Sequence, residues 1–66
     1  MQIILNGKEK ELNSSLNLKE MIAQFRKDTR HVIAEVNGEI IRTPHWENTP
    51  IKKGDSIELV SLVGGG

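Results

Sequence analysis

The sequence predicts an α+β fold in which one mixed sheet of about five strands packs against a single helix. Asn6-Gly7 and Asn37-Gly38 each separate two short runs that can form strands, and Asn-Gly is the strongest short-range signal for a β-hairpin. One stretch carries a helical apolar stripe, and the final apolar run is typical of a central strand. A sheet with the helix across one face is the simplest way to bury one stripe.

The first half of the chain is predicted to form a hairpin over residues 1–5 and 8–12, followed by a helix over 18–28. Asn17 can cap this helix, and Glu20 can complete a capping box with it. Apolar residues recur at i, i+3, i+4 and i+7, which places them on one helical face: Leu18, Met21, Ile22 and Phe25. This face is expected to pack on the sheet.

The second half is predicted to add a hairpin over 32–36 and 39–42 and a last strand over 56–63. Between them, residues 43–53 contain two prolines, which break a regular strand ladder, so an irregular connection is expected there. The last strand is the most apolar of all. It is therefore predicted to lie in the middle of the sheet.

The alternation of side chains along each strand assigns the residues to two faces of the sheet. Facing the helix are Ile3, Leu5, Val32, Ala34, Val36, Ile57 and Leu59. Pointing away from it are Ile4, Ile33, Val60 and Leu62. Large aliphatic side chains on an uncovered face often mark a surface that binds a partner. These four residues are predicted to contact another protein.

The length and the charge balance of the chain argue against two classes of function, catalysis and nucleic-acid binding. A chain of 66 residues buries only about 60% of its unfolded surface, so an enclosed catalytic pocket is not expected and the chain is not expected to be an enzyme. Nine basic residues balance nine acidic ones, whereas nucleic-acid binding calls for a basic patch. No nucleic-acid partner is expected.

Composition also indicates a cytoplasmic protein without a membrane partner. There is no cysteine, which excludes a disulfide scaffold, a thiolate metal site and a cysteine nucleophile. No apolar run approaches the ~20 residues that span a bilayer, and residues 1–5 lack the features of a signal peptide.

Individual side chains give little sign of catalysis. His31 and His45 are the only imidazoles and have no partners at metal-ligand spacing, so no metal site is expected. Nothing brings together the residues that could make a hydrolytic triad, which are Ser14, Ser15, Asp28 and Asp55. Trp46 is interpreted as a lid on one end of the core, with a partner anchor as the alternative.

The chain ends in Gly64-Gly65-Gly66, which hold half of its six glycines. Three glycines at a chosen site arise by chance only about three times in ten thousand. A glycine end is thin and flexible and can pass through a narrow channel. Terminal disorder and an added segment are the alternatives. We therefore predict a folded domain over 1–63 and a functional tail over 64–66.

These features together resemble the ThiS sulfur-carrier family of thiamine biosynthesis, which has the ubiquitin-like β-grasp fold. The resemblance runs along the whole chain. It is carried by Met1-Gln2-Ile3, Asn6-Gly7, Val36-Asn37-Gly38-Glu39-Ile40-Ile41, Trp46, Gly54-Asp55-Ser56-Ile57-Glu58-Leu59 and Gly65-Gly66. The tail departs from the minimal pattern, because Gly64 stands where many β-grasp carriers have a side chain.

The resemblance implies that Gly66 is the reacting residue. A ThiF-type enzyme would adenylate its carboxylate with ATP, a persulfide on a sulfur-donor protein would displace AMP, and ThiG, the thiazole synthase, would take sulfur from the resulting thiocarboxylate. Gly64 and Gly65 would let the tail enter these partners. The carrier itself would bind no cofactor, since ATP is consumed by the activating partner.

Two alternatives remain open from the sequence. The small subunit of molybdopterin synthase, MoaD, shares this fold and thiocarboxylate chemistry but is usually longer. A non-catalytic β-grasp binding module would need no free C-terminus.

Overall fold

The computed structural model describes residues 1–61, which form a five-stranded mixed sheet with one α-helix packed on one face. In chain order the elements are β1 (Gln2–Leu5), β2 (Lys8–Glu11), α1 (Leu18–Phe25), β3 (Val32–Val36), β4 (Glu39–Ile41), a 3-10 helix (Thr43–Asn48) and β5 (Ser56–Ser61). The strand order is β2-β1-β5-β3-β4, and only β1 and β5 run parallel. The predicted fold class and the central place of the last strand are confirmed.

Both Asn-Gly pairs form the hairpin turns that the sequence predicts. Asn6 and Gly7 have φ of 50° and 81°, and Asn37 and Gly38 have φ of 51° and 86°. A type I′ turn needs positive φ at both central residues, and asparagine and glycine reach this region at low cost. The turns set the registers of β1 with β2 and of β3 with β4.

The two turn asparagines also hold the central strand, a role that the sequence analysis did not predict. The side-chain Oδ1 of Asn6 accepts the backbone N–H of Leu59 at 2.8 Å. On the other side of β5, Oδ1 of Asn37 accepts the backbone N–H of Ser56 at 2.9 Å, and its amide nitrogen donates to Asp55 at 3.0 Å. Both hairpins are thus fastened to β5 by side chains as well as by the strand ladder.

The helix begins as predicted and ends earlier. Asn17 and Glu20 form the capping box, with bonds of 2.8 Å and 2.9 Å between each side chain and the other residue's backbone N–H. The prediction extended α1 to residue 28, but it ends at Phe25, the last apolar position of the stripe, and Arg26 is already extended. The Arg26 guanidinium donates to the Leu59 carbonyl at 3.4 Å, which ties the end of α1 to β5.

Residues 26–31 return the chain to the sheet through a turn built on Asp28. Its carboxylate accepts the backbone N–H and the Nε–H of Arg30, both at 3.0 Å, and the Arg30 Nη2 at 2.8 Å. The hydrogen bonds from Arg30 hold the pKa of the Asp28 carboxyl well below its usual range. A side chain that bonds to the backbone two residues onward favours a turn over a helix, which accounts for the early end of α1.

The connection over 43–53 is more regular than predicted. Thr43–Asn48 form a 3-10 helix, with a proline in its first turn, where the missing N–H is not needed. Trp46 is buried in this segment, and its Nε1–H donates to the Ile41 carbonyl at 2.8 Å. The interpretation of Trp46 as a lid on the core is confirmed.

The core lies between α1 and the inner face of the sheet and consists of Ile3, Leu5, Leu12, Leu18, Met21, Ile22, Val32, Ala34, Trp46, Ile51, Ile57 and Leu59. The predicted inward residues are among these or, like Val36 and Phe25, pack against them half-buried. The burial of Leu12 and Ile51 was not predicted, because no face was assigned to Leu12 at the end of the predicted strand 8–12, which the structure ends at Glu11, and because Ile51 lies in the connection over 43–53. Within residues 1–61, no helix has the length and apolar character needed to cross a bilayer.

We expect Asn6→Gly to lower the free energy of unfolding by about 1–2 kcal/mol, because the Leu59 N–H loses its acceptor. Glycine keeps the positive φ that the turn needs. Asn6→Asp, which retains both an acceptor oxygen and tolerance of this backbone region, should lose much less. Urea denaturation followed by circular dichroism measures both variants. An equal loss in the two would contradict the bond to β5.

Candidate functional site

The strand register defines an outer face, on the side of the sheet opposite α1. Residues paired across neighbouring strands share a face, so the outward positions follow from the register. They are Gln2, Ile4, Glu9, Glu11, Ile33, Glu35, Ile40, Ser56, Glu58 and Val60. The structure places Ile4, Ile33 and Val60 outward as predicted, with exposed fractions of 38%, 38% and 54%. Their role in partner binding stays a prediction.

The predicted partner residues are not all neighbours. Ile33 and Val60 are directly opposite each other on β3 and β5. Ile4 pairs with Ser56, four residues along β5 from Val60, a distance of about 13 Å at the usual rise of a strand. Ile33 and Val60 therefore form one apolar spot, and Ile4 lies apart from it.

Ile40 is an outward aliphatic residue that the sequence analysis missed. Its side chain is 64% exposed, the most of any large hydrophobic residue described, and it pairs with Glu35 at the edge of the sheet. The alternation of Ile40 and Ile41 along β4 could have revealed it, since only Ile41 packs against the core. The aliphatic surface on the outer face is thus centred on β3 and its two neighbours.

The described outward positions carry four carboxylates and no lysine or arginine. Only Glu11 has a counter-charge, because it forms an ion pair of 2.8 Å with the N-terminal amine. The charges of Glu9, Glu35 and Glu58 face solvent without a basic neighbour among the three ion pairs that residues 1–61 form. An apolar and acidic face is suited to a partner surface that is apolar and basic.

A groove of about 320 Å³ lies on the other side of the molecule, between α1 and the 3-10 helix. Ala23, Pro44 and Trp46 contribute its apolar walls, and Lys19 and Glu47 form an exposed ion pair of 3.5 Å at its rim. Ligand sites of enzymes bring several polar groups together around an apolar pocket. Besides the rim pair, the polar lining residues of this groove are Thr29 and Thr43, and no imidazole is among the lining residues to activate their hydroxyls as a base.

The other predicted site residues lie outside the described part of the chain. They are Leu62, Gly64, Gly65 and Gly66, and the domain boundary predicted after residue 63 lies there too. The structure does show where this segment starts. It follows directly from Ser61, the last residue of the central strand β5.

Comparison with known proteins agrees with this architecture. The profile of the ThiS family matches residues 3–66. The chain belongs to the ThiS family. Its fold is the ubiquitin-like β-grasp, and the family resemblance found in the sequence is confirmed. A match to ThiS along almost the whole chain favours this family over MoaD.

Individual relatives support the same assignment. The crystal structure of the thiamine biosynthesis protein ThiS from Geobacter metallireducens superposes with a TM-score of 0.86, at 32% identity and with both chains fully covered. The sulfur carrier protein ThiS of Bacillus subtilis is 33% identical over 63 residues, which is 94% of this chain and 96% of that protein.

A third relative is larger. The thiazole synthase of Paramagnetospirillum magneticum is 29% identical over 66 residues, which is the whole of this chain but 20% of that protein. This chain therefore spans about a fifth of the length of that thiazole synthase.

The outer face of this ThiS-family chain should contribute little to folding. We expect Leu59→Ala to cost about 2–5 kcal/mol of unfolding free energy, because Leu59 is buried. The neighbouring Val60→Thr should change it by no more than about 0.5 kcal/mol, because Val60 is exposed and threonine keeps the β-branch. Urea denaturation compares the two. A loss at Val60 equal to that at Leu59 would mean that Val60 is part of the core.

Proposed function

We propose that this chain is a sulfur carrier of thiamine biosynthesis that carries sulfur as a thiocarboxylate on Gly66. The observation that carries the proposal is the placement of three glycines at positions 64–66, three to five residues after Ser61, the last described residue of the central strand of a ThiS-family fold. Family membership and the likeness to ThiS of Bacillus subtilis support the carrier role. The chain acts as a protein co-substrate, and its partners catalyse the chemistry.

The chemistry requires activation because a carboxylate is a poor electrophile. A ThiF-type enzyme uses ATP to convert the Gly66 carboxylate into an acyl-adenylate, with release of pyrophosphate. A persulfide on a donor protein attacks the acyl carbon and expels AMP. A thiol then cleaves the S–S bond by exchange, and the terminal sulfur stays on Gly66 as a thiocarboxylate. The chain's lack of cysteine means that it offers no thiol of its own to intercept the adenylate.

The glycines of the tail suit this transfer because a chain without side chains needs only a narrow channel. Gly66 lies five residues after Ser61, and five residues span at most about 17 Å. A partner that reacts with Gly66 must therefore approach within this distance of the end of β5. The outer face at Ile33 and Val60 lies next to that end and is the proposed docking site, together with Leu62 and the more distant Ile4.

The partner that receives the sulfur is a thiazole synthase of the ThiG type. The likeness of the whole chain to a fifth of the thiazole synthase of Paramagnetospirillum magneticum supports this pairing. The ThiF-type enzyme and the sulfur donor belong to the proposal through the chemistry above. All of these steps are proposed to take place in the cytoplasm.

Intact-mass spectrometry tests the reaction. Incubation with ATP, a ThiF-type enzyme and a persulfide donor should add about 16 Da, because one sulfur replaces one oxygen of the carboxylate. A variant without Gly65 and Gly66 and a variant with one residue appended after Gly66 are the matched controls, and neither should gain mass. If the wild-type chain gains no mass while a known carrier does under the same conditions, the function is wrong.

The docking face is tested by Val60→Asn, which makes an exposed apolar position polar without changing charge. We expect it to weaken binding to the ThiF-type enzyme by about tenfold, as is usual when an apolar contact at the centre of an interface is lost. The control variant Ala23→Ser makes a comparable apolar-to-polar change at an exposed position of α1. Its affinity for the ThiF-type enzyme should equal that of the wild type. Calorimetry measures binding, and a thermal melt verifies folding. Unchanged affinity for Val60→Asn would show that the partner docks elsewhere.

A further inference from the structure

Two carboxylates stand directly opposite each other in the middle of the outer face. Glu35 on β3 pairs with Glu58 on β5 in the strand register. Side chains at directly opposed positions of an antiparallel pair have Cβ atoms about 5 Å apart, and like charges placed in this way are destabilising. The fold by itself gains nothing from this arrangement.

The surroundings of this pair do not neutralise it. None of the three ion pairs within residues 1–61 includes Glu35 or Glu58, and neither carboxylate accepts a hydrogen bond from another described residue. The outward positions described hold no basic side chain that could be moved toward them. The described outward positions of the sheet therefore supply no counter-charge to the pair.

Aliphatic side chains border the pair on two sides. Ile33 and Val60 form the next outward pair along β3 and β5, and Ile40 lies beside Glu35 on β4. All three are substantially exposed. A cation that reaches the two carboxylates from a protein surface would thus be surrounded by apolar contacts, which exclude water and strengthen the attraction.

The position of the pair relative to the tail favours a partner that acts on Gly66, and the adenylating enzyme is the first such partner in the proposed reaction. Glu58 and Val60 are on the strand that leads to Gly66, and Val60 immediately precedes Ser61. Since five residues reach no further than about 17 Å from Ser61, an enzyme that acts on Gly66 must approach the end of β5, where the outer face is the side of the sheet that α1 leaves uncovered. The carboxylate pair lies on that side of the sheet.

We propose that Glu35 and Glu58 together bind an arginine or lysine side chain of the adenylating enzyme, which inserts between Ile40 on one side and Ile33 and Val60 on the other. This inference rests on the proposed function and adds the residues that recognise the activating partner. One cation compensates both carboxylates, so their repulsion in the free chain is relieved only in the complex. The pair selects the partner by charge, and the aliphatic residues contribute apolar contact.

Steady-state kinetics of the adenylating enzyme test this role, with the chain as the varied substrate and pyrophosphate release as the readout. The double variant Glu35→Gln/Glu58→Gln should raise KM by about tenfold and change kcat by no more than about twofold, because Gln is isosteric with Glu and neither side chain takes part in the reaction of the Gly66 carboxylate. The matched control is Glu9→Gln, an exposed outer-face carboxylate on the edge strand β2. Its KM should stay within about twofold of the wild type.

Two further measurements separate recognition from a structural role. The thermal midpoint of the double variant should be equal to or higher than that of the wild type, since the substitution removes a repulsion. Raising the salt from about 0.05 M to about 0.5 M should increase KM for the wild type more than for the double variant. A lower midpoint with an unchanged KM would overturn the proposal and make the pair structural.

The outcomes of these experiments separate recognition by Glu35 and Glu58 from the sulfur-carrier function on which it rests. If the double variant gains the mass of one sulfur with an unchanged KM, recognition by the pair is wrong and the sulfur-carrier function stands. If the wild-type chain is not adenylated at all, the proposed function is wrong and this inference falls with it. Sedimentation that finds a dimer of the wild type, dissociated by the double substitution, would assign the face to a second copy and overturn the proposal.

Discussion

The structure depends on the placement of β5 between β1 and β3. This strand has a ladder on each side, parallel with β1 and antiparallel with β3, and the side chains of Asn6 and Asn37 add a hydrogen bond from each flank. Its inward residues, Ile57 and Leu59, are buried beneath α1. A strand held in this way is expected to be among the last parts of the domain to unfold locally. The segment that follows Ser61 is therefore attached to a rigid strand.

The small size of the domain explains why its candidate functional groups lie on its surface and not in an interior pocket. One helix can cover only one face of a five-stranded sheet, and the core between them is filled by side chains. The groove beside α1 is lined by the hydroxyls of Thr29 and Thr43 and by the Lys19–Glu47 ion pair, without an imidazole. The uncovered sheet face and the chain end are what remain available. A carrier needs only these two features, since its partners supply the active sites.

Local patterns in the sequence predicted most of the fold, whereas contacts between distant segments were missed. The hairpins, the capping box and the inward and outward faces each follow from a few neighbouring residues. The early end of α1 depends on the Asp28 turn, and the burial of Leu12 and Ile51 depends on the way loops close over the core. The pairing of Glu35 with Glu58 needs the register of two strands that are not consecutive in the chain, since β4 and the 3-10 helix lie between them. The alternation of Ile40 and Ile41 along β4 was sufficient to predict that Ile40 faces outward, but the sequence analysis did not use it.

An unrelieved charge pair beside exposed aliphatic residues is understandable if the chain binds several enzymes in turn, as the proposed function requires. A wholly apolar face would bind tightly to many surfaces and to itself, since exposed apolar patches promote association. Carboxylates at its centre oppose those contacts, because burying a charge without a partner is costly. Only a partner surface that places a cation beside the two carboxylates offsets this free-energy cost. In this proposal the cost of burying the two carboxylates opposes the binding of wrong partners, and their long-range attraction to a basic surface accelerates encounter with the right one.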